Sequence, residues 1–153
     1  MRQKGIVYCS TGSHYRVKFN GAFYDCRIKG KFRIKGIKST NPIAVGDRVW
    51  FDRESDGVKK TGVITEIESR QNYIVRKSVN LSKQIHIIAS NIDQVFLMIT
   101  FKTPTTFPAF IDRFLVTAKA YEIKTILVFN KVDLYTSQEL KDMRSLKGVY
   151  EKI

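Results

Sequence analysis

Through the first ninety residues, apolar and polar side chains alternate in short runs. GIVYCS (5–10), HYRVKFN (14–20), FYDCRIKGKFRI (23–34), DRVWFD (47–52) and TGVITEIESR (61–70) each carry the period of two that turns one face of a strand to a core and the other to water. Turn formers separate them: Thr11-Gly12, Asn20-Gly21, Asn41-Pro42, Gly46-Asp47 and Asp56-Gly57. No helical period interrupts the series. Short strands at this spacing predict a small barrel of five strands.

From Asn91 the pattern changes. DQVFLMIT (93–100) is a nearly continuous apolar run, the signature of a strand covered on both faces. In PAFIDRFLVTAKAYEI (108–123), Phe110, Ile111, Phe114, Leu115, Ala118 and Tyr121 recur at helical spacing, with Pro108 suited to the first turn. TILVF (125–129) is a second buried strand. A last helix is predicted to start near Thr136, where Glu139 completes a capping-box pattern, and to stop at Gly148. A strand, a helix and a strand make a parallel unit whose functional loops sit at the carboxyl ends of the strands.

Charge divides the chain at the same place. The net charge is +13, and residues 1–90 hold 18 Lys/Arg against 7 Asp/Glu, whereas residues 91–153 hold 9 against 7. A basic first half beside a nearly neutral second half predicts two modules, the first facing a polyanion. In CRIKGKFRIK (26–35), Arg27, Lys29, Lys31, Arg33 and Lys35 occupy every second position, with Cys26, Ile28, Gly30, Phe32 and Ile34 between them. One strand would then present five cations in register, which an anionic partner would neutralise with release of counterions. Lysines guarding an exposed edge are the other reading, and they account for one or two cations more readily than for five. Trp50 shares a face with Arg48, where it either stacks on an unpaired base or packs on the barrel.

The chemistry of the second half lies in Asn130-Lys131-Val132-Asp133, which follows TILVF at once. An aspartate can accept from N1–H and the 2-amino group of guanine together. An asparagine amide can donate toward N7 or O6, and a lysine stem can lie along the base. Val132 is the spacer that lets Asn130 and Asp133 converge. Adenine would leave the carboxylate unpaired, so discrimination should be strong. A strand-end turn leading into a helix cap is the bland alternative. No G-x-x-x-x-G-K-[ST] accompanies the loop. Gly30-Lys31 comes nearest, but Phe32 follows and Asp25 stands where the first glycine belongs. No D-x-x-G occurs either, so these residues do not cradle a triphosphate or its magnesium in the usual way.

Other chemistry is thin. Cys9 and Cys26 form no C-x-x-C, and with His14 and His86 they form no zinc pattern. They read as small apolar residues and isolated imidazoles. No run approaches the roughly 18 apolar residues that span a bilayer, and the opening MRQKGIVYCS has no signal-peptide core. The expectation is a cytoplasmic protein with no membrane partner.

The stretches YDCRIKGKFR, VGDRVWF, ESRQNYIVR, IASNIDQVFLMIT, IDRFLVTAKAYEI and TILVFNKVDL together resemble the N-terminal part of the ribosome small subunit-dependent GTPase A family, the circularly permuted RsgA GTPases. The resemblance implies a β plus α/β chain. Residues 1–88 would be an oligonucleotide-binding (OB) barrel, and residues 89–153 the first β-α-β-α part of a permuted P-loop GTPase domain, ending before the P-loop. It implies a GTP hydrolase acting in late maturation of the 30S subunit and stimulated by it, with GTP or GDP and Mg2+ as ligands and Zn2+ in a C-terminal domain beyond these residues. Its partners would be the 30S subunit and 16S rRNA, met as a monomer. Asn130, Lys131, Val132 and Asp133 match the guanine-specificity loop. The basic strand with Arg27, Lys29, Lys31, Arg33 and Lys35 matches the part of the barrel that contacts rRNA in the family, and these cations, together with Arg48 and Trp50, are the expected RNA contacts. The phosphate loop, switch segments and zinc ligands would lie past Ile153, so the chain reads as a piece of a longer protein that binds guanine nucleotide weakly and hydrolyses none. A non-catalytic OB-fold RNA-binding module with a small α/β appendage is the alternative.

Overall fold

A computed structural model describes residues 2–28, 42–54, 60–77 and 85–152. Its contacts divide the chain into two compact units, Met1–Ile92 and Asp93–Ile153.

In the first unit, β1 (Arg2–Thr11), β2 (His14–Phe19), β3 (Ala22–Ile28), β4 (Arg48–Glu54) and β5 (Thr61–Ile67) close into a barrel in the order β1-β2-β3-β5-β4. The pairings are antiparallel except β3 with β5, which run parallel. This is the Greek-key order of an OB-type barrel. The alternation seen in the sequence is what closes it. Val7, Tyr15, Val17, Tyr24, Cys26, Val49, Phe51 and Ile64 all point inward and are buried. Full burial of a ring such as Phe51 stabilises by about 1.5–3 kcal/mol. Cys26 lies among them, and burial first, then the charges of Asp25 and Glu54, push its thiol up to about 12. The strand expected over 23–34 is seen as Ala22–Ile28; its continuation, with Lys29, Lys31, Arg33 and Lys35, lies outside the described residues.

The alternation did not announce a further antiparallel hairpin, β6 (Tyr73–Lys77) with β7 (Ile85–Ser90). These strands are short, and the register slips between Ile74 and Val75, so no clean period of two survives. A buried ionic clip ties the hairpin to the barrel. Arg70 donates through Nε and Nη2 to the two oxygens of Asp47 at 2.7 and 2.6 Å, and Nη2 also reaches the Pro42 carbonyl. Ser90 Oγ donates to Asp47 Oδ1 at 2.6 Å, and the Ala44 N–H donates to Oδ2 at 2.8 Å. Beside the clip, Gly46 has φ +89°, and a Cβ there would lie 2.0 Å from the Ser90 carbonyl oxygen. Only glycine allows that approach.

In the second unit, β8 (Gln94–Ile99) and β9 (Lys124–Phe129) pair in parallel, joined by α1 (Pro108–Ala120) and followed by α2 (Ser137–Tyr150). Leu97, Ile99 and Ile111 form the buried centre, with Phe114, Leu115, Leu127, Phe129, Leu146 and Tyr150 packed on it. Phe110, expected on the packed face of α1, is instead exposed. The Thr136–Glu139 capping box starts α2 as the sequence indicates. Gly148 does not end it. The helix runs on to Tyr150, whose ring packs on the core and whose hydroxyl donates to Asp112 at 2.7 Å. That tertiary contact outweighs the roughly 1 kcal/mol penalty of a glycine inside a helix.

Candidate functional site

The loop Asn130–Asp133 stands at the carboxyl end of β9, next to the end of β8. The Asn130 N–H donates to the Ile99 carbonyl at 2.9 Å, which carries the parallel pairing one residue past the strands. Lys131 then turns into the left-handed region at φ 59°, a strained conformation for a side chain with a Cβ. A 3₁₀ turn follows at Val132–Leu134, and α2 begins just beyond.

Two contacts hold this turn. Lys131 Nζ donates to the Thr103 carbonyl at 2.5 Å, tying the loop to the segment after β8. Tyr135 is buried, and its hydroxyl donates to the Asn130 carbonyl at 2.7 Å while accepting from the Phe101 N–H at 2.9 Å. Tyr135 therefore bolts the two strand-end loops together. A buried tyrosine needs a partner for its hydroxyl, but the sequence gives no sign that the partner lies 34 residues upstream. The Asn130 amide, whose Nδ2 lies 3.2 Å from Met98 Sδ, and the Asp133 carboxylate both remain exposed at the surface. An amide and a carboxylate three residues apart on a fixed turn can meet the two polar edges of one base. A nearby cavity of about 410 Å³, bounded by Ile99–Phe101, Pro108, Ile111 and α2, includes neither residue.

The cationic residues are only partly within view. Arg27 is exposed and forms an ion pair with Glu54, Nη2 to Oε1 at 2.5 Å. Arg48 is exposed on β4, and Val49 and Phe51 on either side of Trp50 are buried, so Arg48 and Trp50 share the outer face. Trp50 is half-buried. The Arg2 guanidinium sits 4.8 Å from its ring centre and Lys4 Nζ 5.9 Å, so two cations flank the ring. Among the described residues, no group of three His, Cys, Asp or Glu could hold a metal ion.

A family model described as the RsgA N-terminal domain matches residues 4–64, and one described as RsgA GTPase matches residues 67–153. The chain belongs to the RsgA GTPase family. The small ribosomal subunit biogenesis GTPase RsgA of Christiangramia forsetii is 64% identical over 148 residues, covering 96% of this chain and 47% of the relative. That of Flavobacterium psychrophilum is 61% identical over 150 residues, covering 97% and 46%. The chain thus spans about half the length of the curated RsgA relatives it matches. Two crystal structures share its fold. YjeQ from Thermotoga maritima superposes with a TM-score of 0.72 at 33% identity, covering all of this chain and 50% of that one. YloQ, described as a circularly permuted GTPase, gives 0.67 at 27%, covering 99% and 49%. An RsgA chain of this architecture is a closed five-stranded barrel followed by the first part of a permuted GTPase domain.

Proposed function

We propose that the whole protein is a GTP hydrolase of small-subunit biogenesis, in which the barrel grips ribosomal RNA and Asn130–Asp133 selects guanine. The observation that carries this reading is the placement of the Asn130–Asp133 loop. It lies at the carboxyl tip of a parallel strand, is bolted by Tyr135, and falls within the stretch that matches the RsgA GTPase model. In this reading Asp133 accepts from N1–H and the 2-amino group, Asn130 donates to the opposite edge, and the Lys131 stem lies along the ring. Residues 1–88 serve as the RNA-binding domain and 89–153 as the guanine-reading part of the GTPase domain. Arg27, Lys29, Lys31, Arg33, Lys35, Arg48 and Trp50 make the cationic contribution to the RNA contact, with 30S particles and 16S rRNA as the partners. Phosphate and Mg2+ chemistry belongs to residues outside this chain, since no sequence here has the phosphate-loop spacing. These 153 residues alone should turn over no GTP.

The test is GTP turnover by the whole protein with and without purified small ribosomal subunits. Stimulation by the subunits is expected, and the charge reversal Lys29, Lys31, Arg33→Glu should abolish it while leaving basal turnover intact. Equal stimulation of the reversed variant would remove Lys29, Lys31 and Arg33 from the contact, and no GTP turnover under any condition would remove the enzyme.

A further inference from the structure

The outer face of β1, β2 and β3 carries an aromatic patch that neither the cationic row nor the guanine loop uses. Its registers align four exposed side chains across four strands. Arg48 on β4 pairs with Ile6 on β1, Ile6 with Lys18 on β2, and Lys18 with Phe23 on β3. The β1–β2 register shifts between Val7 and Cys9, so Tyr8 is the extra residue of a bulge and turns outward beside the row. Ile6 is 44% exposed, Tyr8 50% and Phe23 45%. Tyr8 and Phe23 meet edge to face with ring centres 5.6 Å apart. Lys18 Nζ hangs over both, 5.1 Å from the Tyr8 centroid and 5.8 Å from Phe23. Neither Lys18 nor Arg48 forms an ion pair among the described residues, whereas Asp25, on the same face, is engaged by Arg16 at 3.6 Å.

We propose that Tyr8 and Phe23, flanked by Lys18 and Arg48, form a stacking platform for unpaired bases of a single-stranded nucleic acid. Exposed rings beside uncompensated cations match the two needs of such a ligand, π-faces for the bases and positive charge for the phosphates between them. A duplex hides its base faces and would use the cations alone. In barrels with this strand order the β2–β3 face is where oligonucleotides lie. An apolar protein surface would match the rings but leave Arg48, at one end of the row, and Lys18, over the rings, without an anion. The inference rests on the reading of the barrel as an RNA-binding module and adds to it a second kind of contact, made by the rings of Tyr8 and Phe23 with Lys18, and sharing only Arg48 with the cationic set.

The experiment is binding of the full chain to a labelled single-stranded U12 RNA and to a 12-base-pair RNA duplex, each at two salt concentrations. Tyr8→Leu and Phe23→Leu keep apolar area on the strands while removing the rings, and Tyr8→Ala and Phe23→Ala remove both; thermal melts accompany all four. Each Leu variant should bind U12 about tenfold more weakly with an unchanged salt slope, and the duplex as before. Lys18→Gln with Arg48→Gln should lower the salt slope for both ligands. If wild type binds U12 and the folded Leu variants bind within twofold of it, the platform is wrong while the RNA-binding barrel stands. Equal losses on U12 and duplex would overturn base stacking. Failure of the wild type to bind either RNA at low salt would overturn the RNA-binding reading itself.

Discussion

Cys9 and Cys26 differ only in which way a strand turns them, and their chemistry diverges accordingly. Cys26 is buried in the barrel with its thiol pushed up to about 12 by burial and neighbouring carboxylates, so it stays protonated and unreactive across the physiological range. Cys9 is exposed. A maleimide reagent should modify Cys9 alone in the native protein and both thiols after denaturation; rapid native labelling of Cys26 would contradict the barrel's closure. Asp47 is the other residue whose setting decides its effect. Asp47→Ala leaves the nearly buried Arg70 guanidinium without its carboxylate, and loss of one partner of a buried pair costs about 3–5 kcal/mol. Chemical denaturation of the two proteins side by side measures it; a difference under about 1 kcal/mol would show that the clip is not a structural bond.

At the scale of elements, α2 shows how local chemistry sets a boundary. The Thr136 backbone N–H, donating to Glu139, is the main reason that the Glu139 carboxyl is held below its ordinary value of 4.5. A lowered folded-state value means the capping bond contributes fully above pH 4.5 and is lost as pH falls below it. Far-UV circular dichroism should therefore show α2 fraying on acidification, and Glu139→Gln, which keeps the box but not the charge, should flatten that acid limb. Thr136→Ala should destabilise by about 1 kcal/mol at neutral pH. The capping box was legible because its partners are three residues apart. The barrel strands were legible because a period of two needs only a few residues to declare itself. The β6–β7 hairpin was not, since its strands are short and shifted in register, and neither was the extension of α2 past Gly148, which depends on Asp112 in another helix. The strand-end position of Asn130–Asp133 could be read from the apolar run before it. Tyr135, which fixes it, could not, because its hydroxyl bonds to the chain segment after a different strand. The exposed Tyr8–Phe23 pair was hidden for a related reason, as it depends on a bulge in β1.

For the whole molecule, the sequence places charge and chemistry in different halves, and the contacts divide the chain between Ile92 and Asp93. The basic half builds a barrel with cations and rings on its outer surface. The nearly neutral half builds a parallel pair whose strand end carries an amide and a carboxylate. In the proposed reading the first half would grip RNA and the second would read a purine, the arrangement that a nucleotide-dependent ribosome factor requires. The most direct measurement is nucleotide competition on the whole protein, with GTP, ATP and xanthosine triphosphate compared for wild type and Asp133→Asn. Wild type should prefer GTP strongly. Asp133→Asn replaces one acceptor by a donor, so preference should move toward xanthosine triphosphate, whose 2-oxo group accepts. Equal binding of ATP and GTP by the wild type, or an unchanged preference in the variant, would contradict the account.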